Sequence, residues 1–422
     1  MAFIREVVNR ESRVRDVFAP NVVFPLGLVF FYTVPYLHLV DYSDVMPPPG
    51  VRMACLVALG LISYLTGLAF ARSSRSTTGL EWPRVTAGSW RGPFVALALI
   101  GVSVACIGVL ALVLRAADMV PLLASNKEAA RFALATSVGY PLNAATRLPI
   151  PAAIACGLYL LVARRELNVS NALVGVSLAA SIVGEALLAH RGLPFFVLGP
   201  LLICFHYMVR TIRLTTLAAS GGLVIAGLGV ASYFRLTTSP PQLAHLLSHS
   251  NLPAWMPPWC TAAAAFVAFG PLTFNLVLSK MPGAEPFQHG MALFNGAFGI
   301  LPGHQPVIGE FVSQTLLRQP EGSPGLPPTI LGGFYIDFGI AGIVIGMFLV
   351  GLMTQFLHWR MLARPTVWST FLYAYWYFNL FVALYGDFIA NDFIWALPLS
   401  VYCIDVAVRV TFQLQQRYRP VT

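Results

Sequence analysis

Charge is scarce in this chain: Asp, Glu, Lys and Arg make up 10% of its 422 residues, against 57% hydrophobic. Ordinary globular proteins carry about a quarter charged residues, so a soluble surface of this length is excluded. Cysteine is sparse too. Cys55, Cys106, Cys156, Cys204, Cys260 and Cys403 show neither a CxxC spacing nor paired loop positions. A disulfide framework is excluded, and they read as small apolar packing residues. No G-x-S-x-G, Walker A, dinucleotide fingerprint or H-E-x-x-H occurs, so hydrolase, ATPase and metalloprotease chemistry lacks support. There is no internal repeat, low-complexity tract or separate soluble domain. Residues 1–20 carry charges of both signs, and no A-x-A-like site follows the apolar run. They read as an amphipathic cytoplasmic lead, not a secretory signal.

What is abundant is apolar length. A membrane crossing needs roughly 20 apolar residues. Windows of that size fall near 21–40, 51–71, 93–114, 146–163, 168–188, 193–209, 216–234, 328–357, 366–385 and 393–413. The sequence therefore predicts an all-α polytopic membrane bundle of about ten spans. The basic residues set its orientation. With the N-terminus inside, most of the 26 Lys and Arg lie in short cytoplasmic connections, among them Arg72, Arg75, Arg164, Arg165, Arg210, Arg213, Arg360 and Arg364. Both termini are then cytoplasmic, and the net charge of +9 is mostly this topological signal. No basic patch with interleaved aromatics appears, so no nucleic-acid partner is expected.

The 422 residues read as a single integral membrane domain, its exoplasmic chain concentrated in 115–147 and 235–328. Ser125-Asn126-Lys127-Glu128 has the form of a capping box. It predicts a short helix to about Ser137 with Lys127 and Arg131 on one face. In the second segment the apolar run 261–278 is interrupted by Gly270-Pro271. A re-entrant or interfacial hairpin is expected there. Beyond it, 283–328 is rich in Gly and Pro and holds Glu285, His289, His304, Glu310 and Arg318. A long loop in a compact protein is usually functional.

Few ionisable groups remain near the membrane, and each there needs a reason. Arg191 stands at a tight turn after the fifth window. It either snorkels to lipid phosphates or binds a diphosphate with its planar fork. Glu185, deeper in that window, orients Arg191 or is a protonated core residue. Tyr335 and Asp337 open the eighth window. Asp337 either pairs with an arginine or positions sugar hydroxyls. Asp387, Asn391 and Asp392 crowd the turn before the last window. His289, Glu310 and Asp337 are the candidate proton acceptors. His245 and His249 are four residues apart, but no third ligand is legible beside them, so no metal and no cofactor are expected.

Three places carry a family resemblance. They are Val120-Pro121-Leu122-Leu123 with Ala130-Arg131-Phe132; His190-Arg191-Gly192-Leu193; and Phe274-Asn275 through Phe287-Gln288-His289-Gly290 to Gly333-Phe334-Tyr335-Ile336-Asp337-Phe338-Gly339 and Gly351. In order and spacing they resemble the O-antigen polymerases of bacterial envelopes. The resemblance implies an inverting, metal-independent glycosyltransferase of the inner membrane, its active site facing the periplasm. It would join repeat units carried on undecaprenyl diphosphate into a surface polysaccharide, with the bilayer as its medium and a chain-length-determinant protein as a possible partner. Arg131 and Arg191 would hold the diphosphate-sugar, while Lys127, Arg318, Tyr335 and Asp387 would contact substrate. An O-antigen ligase on a similar scaffold, a lipid-linked-glycan flippase and a purely structural role are the alternatives.

Overall fold

A computed structural model describes residues 16–73, 85, 90, 92–124, 130, 133–134, 145–163, 168–188, 193–237, 240–298, 308–320, 325–386 and 393–417. The fold is all-α. Among the described residues there is no strand; Val40 and Ser250 form an isolated antiparallel bridge. The helices are α1 (Val23–Thr33), α2 (Val51–Ser73), α3 (Pro93–Ala116), α4 (Pro149–Ala163), α5 (Val169–Leu187), α6 (Leu193–Met208), α7 (Leu214–Leu236), α8 (Pro240–Ser248), α9 (Pro258–Lys280), α10 (Met291–Phe298), α11 (Thr329–Ala363), α12 (Val367–Val382) and α13 (Phe393–Arg417). Within the described residues six of them, α2, α3, α5, α7, α9 and α11, are long and apolar enough to cross a membrane. Of the helix predicted after Ser125, the described residues Ala130, Ala133 and Leu134 are helical, and the rest, Lys127 and Arg131 included, lies outside the described residues.

The chain forms two compact units: Met1–Leu80, Ile212–Trp359 and Trp376–Ile394 in one, Glu81–Thr211, Arg360–Tyr375 and Trp395–Thr422 in the other. In the second, α3, α4, α5 and α6 pack together. Every residue of α4 from Pro149 to Tyr159 is buried. Small residues make this possible: Gly157 lies under Leu201, and Ser103 meets Cys156 at 3.3 Å. Asp405 is buried but charged-compatible, because Trp90 Nε1 donates to it at 2.7 Å and Arg409 pairs with it.

In the first unit α1 and α2 form a pair, with the Phe24 and Tyr64 rings 4.9 Å apart. Gly67 of α2 and Gly351 of α11 let two backbones touch. A Cβ on Gly67 would collide with the Phe348 carbonyl, and one on Gly351 with the Tyr64 carbonyl. Helices in a bilayer gain little from burying apolar surface against each other, so close backbone approach through small residues is what holds them.

α9 corrects the expected hairpin. It is one unbroken helix of 23 residues with Pro271 inside it. Proline removes one intrahelical hydrogen bond but need not end a helix in packed surroundings. Gly270 serves packing: a Cβ there would meet the Tyr385 backbone at 2.7 Å. The contacts of α9 also place its second half. Ala268 and Leu272 share a small cavity with Val34 and Pro35, Phe274 meets Tyr32, and the Leu278 carbonyl accepts from Arg52 at 2.8 Å. All these partners lie at the loop end of the α1–α2 pair. From Ala268 to Leu278 a helix advances about 15 Å. The second half of α9 thus meets the loop end of the α1–α2 pair, while α9 also packs along α7. The expected break at Gly270-Pro271 is not there.

Candidate functional site

α11 is the overlong eighth window, and its length has a cause. Gly339 (φ +62°) interrupts the helical backbone, and the Phe287 ring fills the space where a Cβ would stand, 2.8 Å away. Before this break lie Tyr335 and Asp337; after it, Gly342 and Gly346 receive Phe334. Glycine is needed at 339 because an L side chain is strained at that φ and would also strike Phe287.

Asp337 is fully buried, and its two oxygens accept the backbone N–H groups of Ala292 (2.9 Å) and Leu293 (2.8 Å). These are orphan donors in the first turn of α10, so a carboxylate from a distant helix does the work of an N-cap. Among the described residues it is backbone N–H groups, and not an arginine, that engage the Asp337 carboxylate. Its backbone also accepts from His289 N–H at 3.1 Å, while Ile336 O accepts from Gln288 N–H at 2.9 Å. Asp337 thereby fixes the 287–292 turn, in which His289 has φ +51° and an exposed side chain.

Tyr335 is buried, and its hydroxyl lies 2.5 Å from Arg52 Nη2 and donates to Met281 O at 3.4 Å. The guanidinium of Arg52 also donates to Leu278 O and lies 5.8 Å from the centre of the Tyr335 ring. Arg52 is exposed, and these bonds use only part of its five-donor fork. No motif in the sequence singles out Arg52. It sits one residue into α2, 226 positions from Leu278, and only the contact of α9 with α2 joins them.

Glu310 and Arg318 belong to a separate segment. Glu310 is half-buried just before a π-helical turn, Phe311–Leu316, that packs against α9; Arg318 is exposed with φ +55°. The backbones of Gly309 and Gly325 touch, and Leu326 N–H donates to Gly309 O at 2.8 Å, closing this segment into a loop. Lys127, Arg131, Arg191 and Asp387 lie outside the described residues. Glu185 is buried in α5 with neither carboxyl oxygen hydrogen-bonded among the described residues. Structure thus brings His289, Tyr335 and Asp337 together and adds Arg52.

The cap role has a measurable consequence. Asp337→Ala should lower stability by about 1–3 kcal/mol, the range for buried donors left unpaired. Asp337→Asn keeps one good acceptor and should lose less in a thermal melt of the purified protein. Equal losses for both variants would contradict the cap.

Neither the curated proteins nor the solved structures include a match to the chain. A model of the family described as "Putative O-antigen polymerase" matches residues 269–383, the stretch running from the C-terminal half of α9 through Tyr335, Asp337 and the Gly339 break to the end of α12. That match supports the assignment of this multi-pass helical membrane protein to the O-antigen polymerase family.

Proposed function

We propose that the protein is a membrane glycosyltransferase that polymerises oligosaccharide repeat units carried on undecaprenyl diphosphate, at the exoplasmic face of a bacterial inner membrane. The single observation that carries this is the family match over residues 269–383, the segment that holds His289, Tyr335 and Asp337 and to which Arg52 is hydrogen-bonded. The chemistry asks little of the protein beyond placement and charge. A hydroxyl oxygen of the acceptor unit attacks the anomeric carbon of the donor glycan. The bond from that carbon to the diphosphate breaks with inversion, and the lipid diphosphate leaves with growing negative charge. Fixed guanidinium groups stabilise that charge more in the transition state than in the ground state.

Arg52 is held at two points by only part of its fork and is otherwise exposed, so it suits an oxyanion. Arg131 and Arg191 are assigned to the donor diphosphate on the resemblance alone. His289, exposed on a turn anchored by Asp337, is the favoured acceptor of the hydroxyl proton; Glu310 is the other candidate. Asp337 positions, with both oxygens engaged by backbone. Lys127, Arg318 and Asp387 remain candidate sugar contacts, and a chain-length-determinant protein a candidate partner. The transfer step as drawn needs no metal.

Arg191→Ala should abolish polymer banding in a complemented deletion strain while the protein's abundance in the membrane is unchanged. Single repeats should accumulate on the lipid carrier. Wild-type banding would refute the role of Arg191, and long polymer stranded on the carrier would identify a ligase instead.

A further inference from the structure

We propose that Asp44, His245 and His249 form a binding site for a divalent transition-metal ion of the zinc type, tying the loop after α1 to α8. His245 lies in the last turn of α8 and His249 just beyond it, so the two rings are one helical turn apart and stack with centroids 4.3 Å apart. The third ligand, which the sequence hid, comes from 201 positions away. Asp44 Oδ2 lies 3.1 Å from His245 Nε2 and 3.8 Å from His249 Nε2. Ligand atoms of the three residues all lie within 4.8 Å of one another.

The hydrogen bonding at His249 points to a cation. Its Nδ1 is 2.8 Å from the His245 carbonyl, which can only accept, so Nδ1 carries the proton. In the neutral ring Nε2 then presents a lone pair toward the carboxylate oxygen. A doubly protonated ring would meet Asp44 as an ion pair, whereas the neutral ring leaves this lone pair free for a metal ion shared with the Asp44 carboxylate. A bond from the non-ligating ring nitrogen to a backbone carbonyl is also the usual way a metal-binding imidazole is oriented. The spacing fits as well. Bonds of about 2.0 Å in a tetrahedron put ligand atoms about 3.3 Å apart, and the two measured separations bracket that edge.

The backbone holds the ligands ready. Asp41 N–H donates to His249 O at 2.8 Å, Asn251 N–H to Leu39 O at 3.0 Å, and Asn251 Nδ2 to His38 O at 2.8 Å. These bonds fasten the 38–44 loop to the end of α8. The side chains of Asp44, His245 and His249 are 45%, 52% and 32% exposed, so an ion can enter from solvent and keep a water as its fourth ligand. Two nitrogens and one carboxylate oxygen suit zinc far better than magnesium or calcium, which take oxygen ligands.

The test uses the full chain, purified in detergent on a tag without histidine and stripped with a chelator. Zinc titration by calorimetry should show one tight equivalent per chain and a zinc-dependent rise in Tm. His245→Ala and His249→Ala should each weaken binding about a hundredfold, and Asp44→Asn about tenfold. The metal-free Tm of all three should match the unsubstituted protein, which separates ligand loss from misfolding. Cobalt should give the d–d absorption of a tetrahedral site without a thiolate charge-transfer band. The proposal is overturned by tight zinc binding that survives in the double His245→Ala, His249→Ala variant, by a cobalt–thiolate band, or by no binding to the unsubstituted protein.

Discussion

Replacing Arg52 by alanine is expected to reduce polymer synthesis by about a hundredfold or more, the usual result of removing a fixed donor from a developing oxyanion. The expectation rests on how the guanidinium is held. One nitrogen donates to the last turns of α9 through Leu278 O and another meets the Tyr335 hydroxyl, on a residue that is otherwise exposed. Lysine is a point charge without the planar fork that spans Leu278 O and the Tyr335 hydroxyl at once, so Arg52→Lys should recover little of the lost activity. Tyr335→Phe removes only one of the two anchors and should lower activity by roughly tenfold, as expected for an orienting group. The measurement is polymer banding beside protein abundance in the membrane. A wild-type ladder from Arg52→Ala would remove Arg52 from the mechanism. Loss of the protein itself would show that Arg52 serves the C-terminal end of α9 and not the reaction.

Widening the contact between α2 and α11 should have an equally large effect, but on folding. A side chain at Gly67 would strike the Phe348 backbone and one at Gly351 the Tyr64 backbone. No flexible side chain is available to move aside. Overpacking against movable neighbours costs about 1–3 kcal/mol; here the two helices must separate, so the loss is at the upper end or beyond. Gly67→Val and Gly351→Val are each expected to leave little folded protein in the membrane fraction. Gly222→Val in α7 is the control, since a Cβ there meets nothing within 4 Å. Normal accumulation of the Gly67 and Gly351 variants, by fluorescence-detected gel filtration, would show that the crossing is looser than described. The consequence for function is direct, because α11 carries Tyr335 and Asp337 and α2 carries Arg52. Their separation depends on this crossing.

These glycines also show why part of the molecule was readable in advance. Scarce charge and long apolar runs determine an all-helical membrane protein, because the bilayer tolerates few other ways to satisfy a backbone. The motif around Gly333–Gly339 was visible for the same reason: glycines and one aspartate are rare enough in an apolar run to need a cause. The causes themselves were not visible. Asp337 looked like a partner for an arginine or a sugar, yet it caps α10, whose first turn is 45 positions away. Gly270-Pro271 looked like a break, yet α9 continues, since proline alone removes one hydrogen bond and the packing around it supplies the rest.

Local composition and hydropathy act over neighbouring residues, so the chain alone determined its class, most of its helices and the segment that matches the polymerase family. Which residues meet across the fold depends on helix crossings that place positions hundreds of residues apart within hydrogen-bonding reach. The pairing of Arg52 with Tyr335 and of Asp44 with His245 was therefore decided by tertiary structure, because no pattern of spacing along the chain encodes a contact between helices that cross.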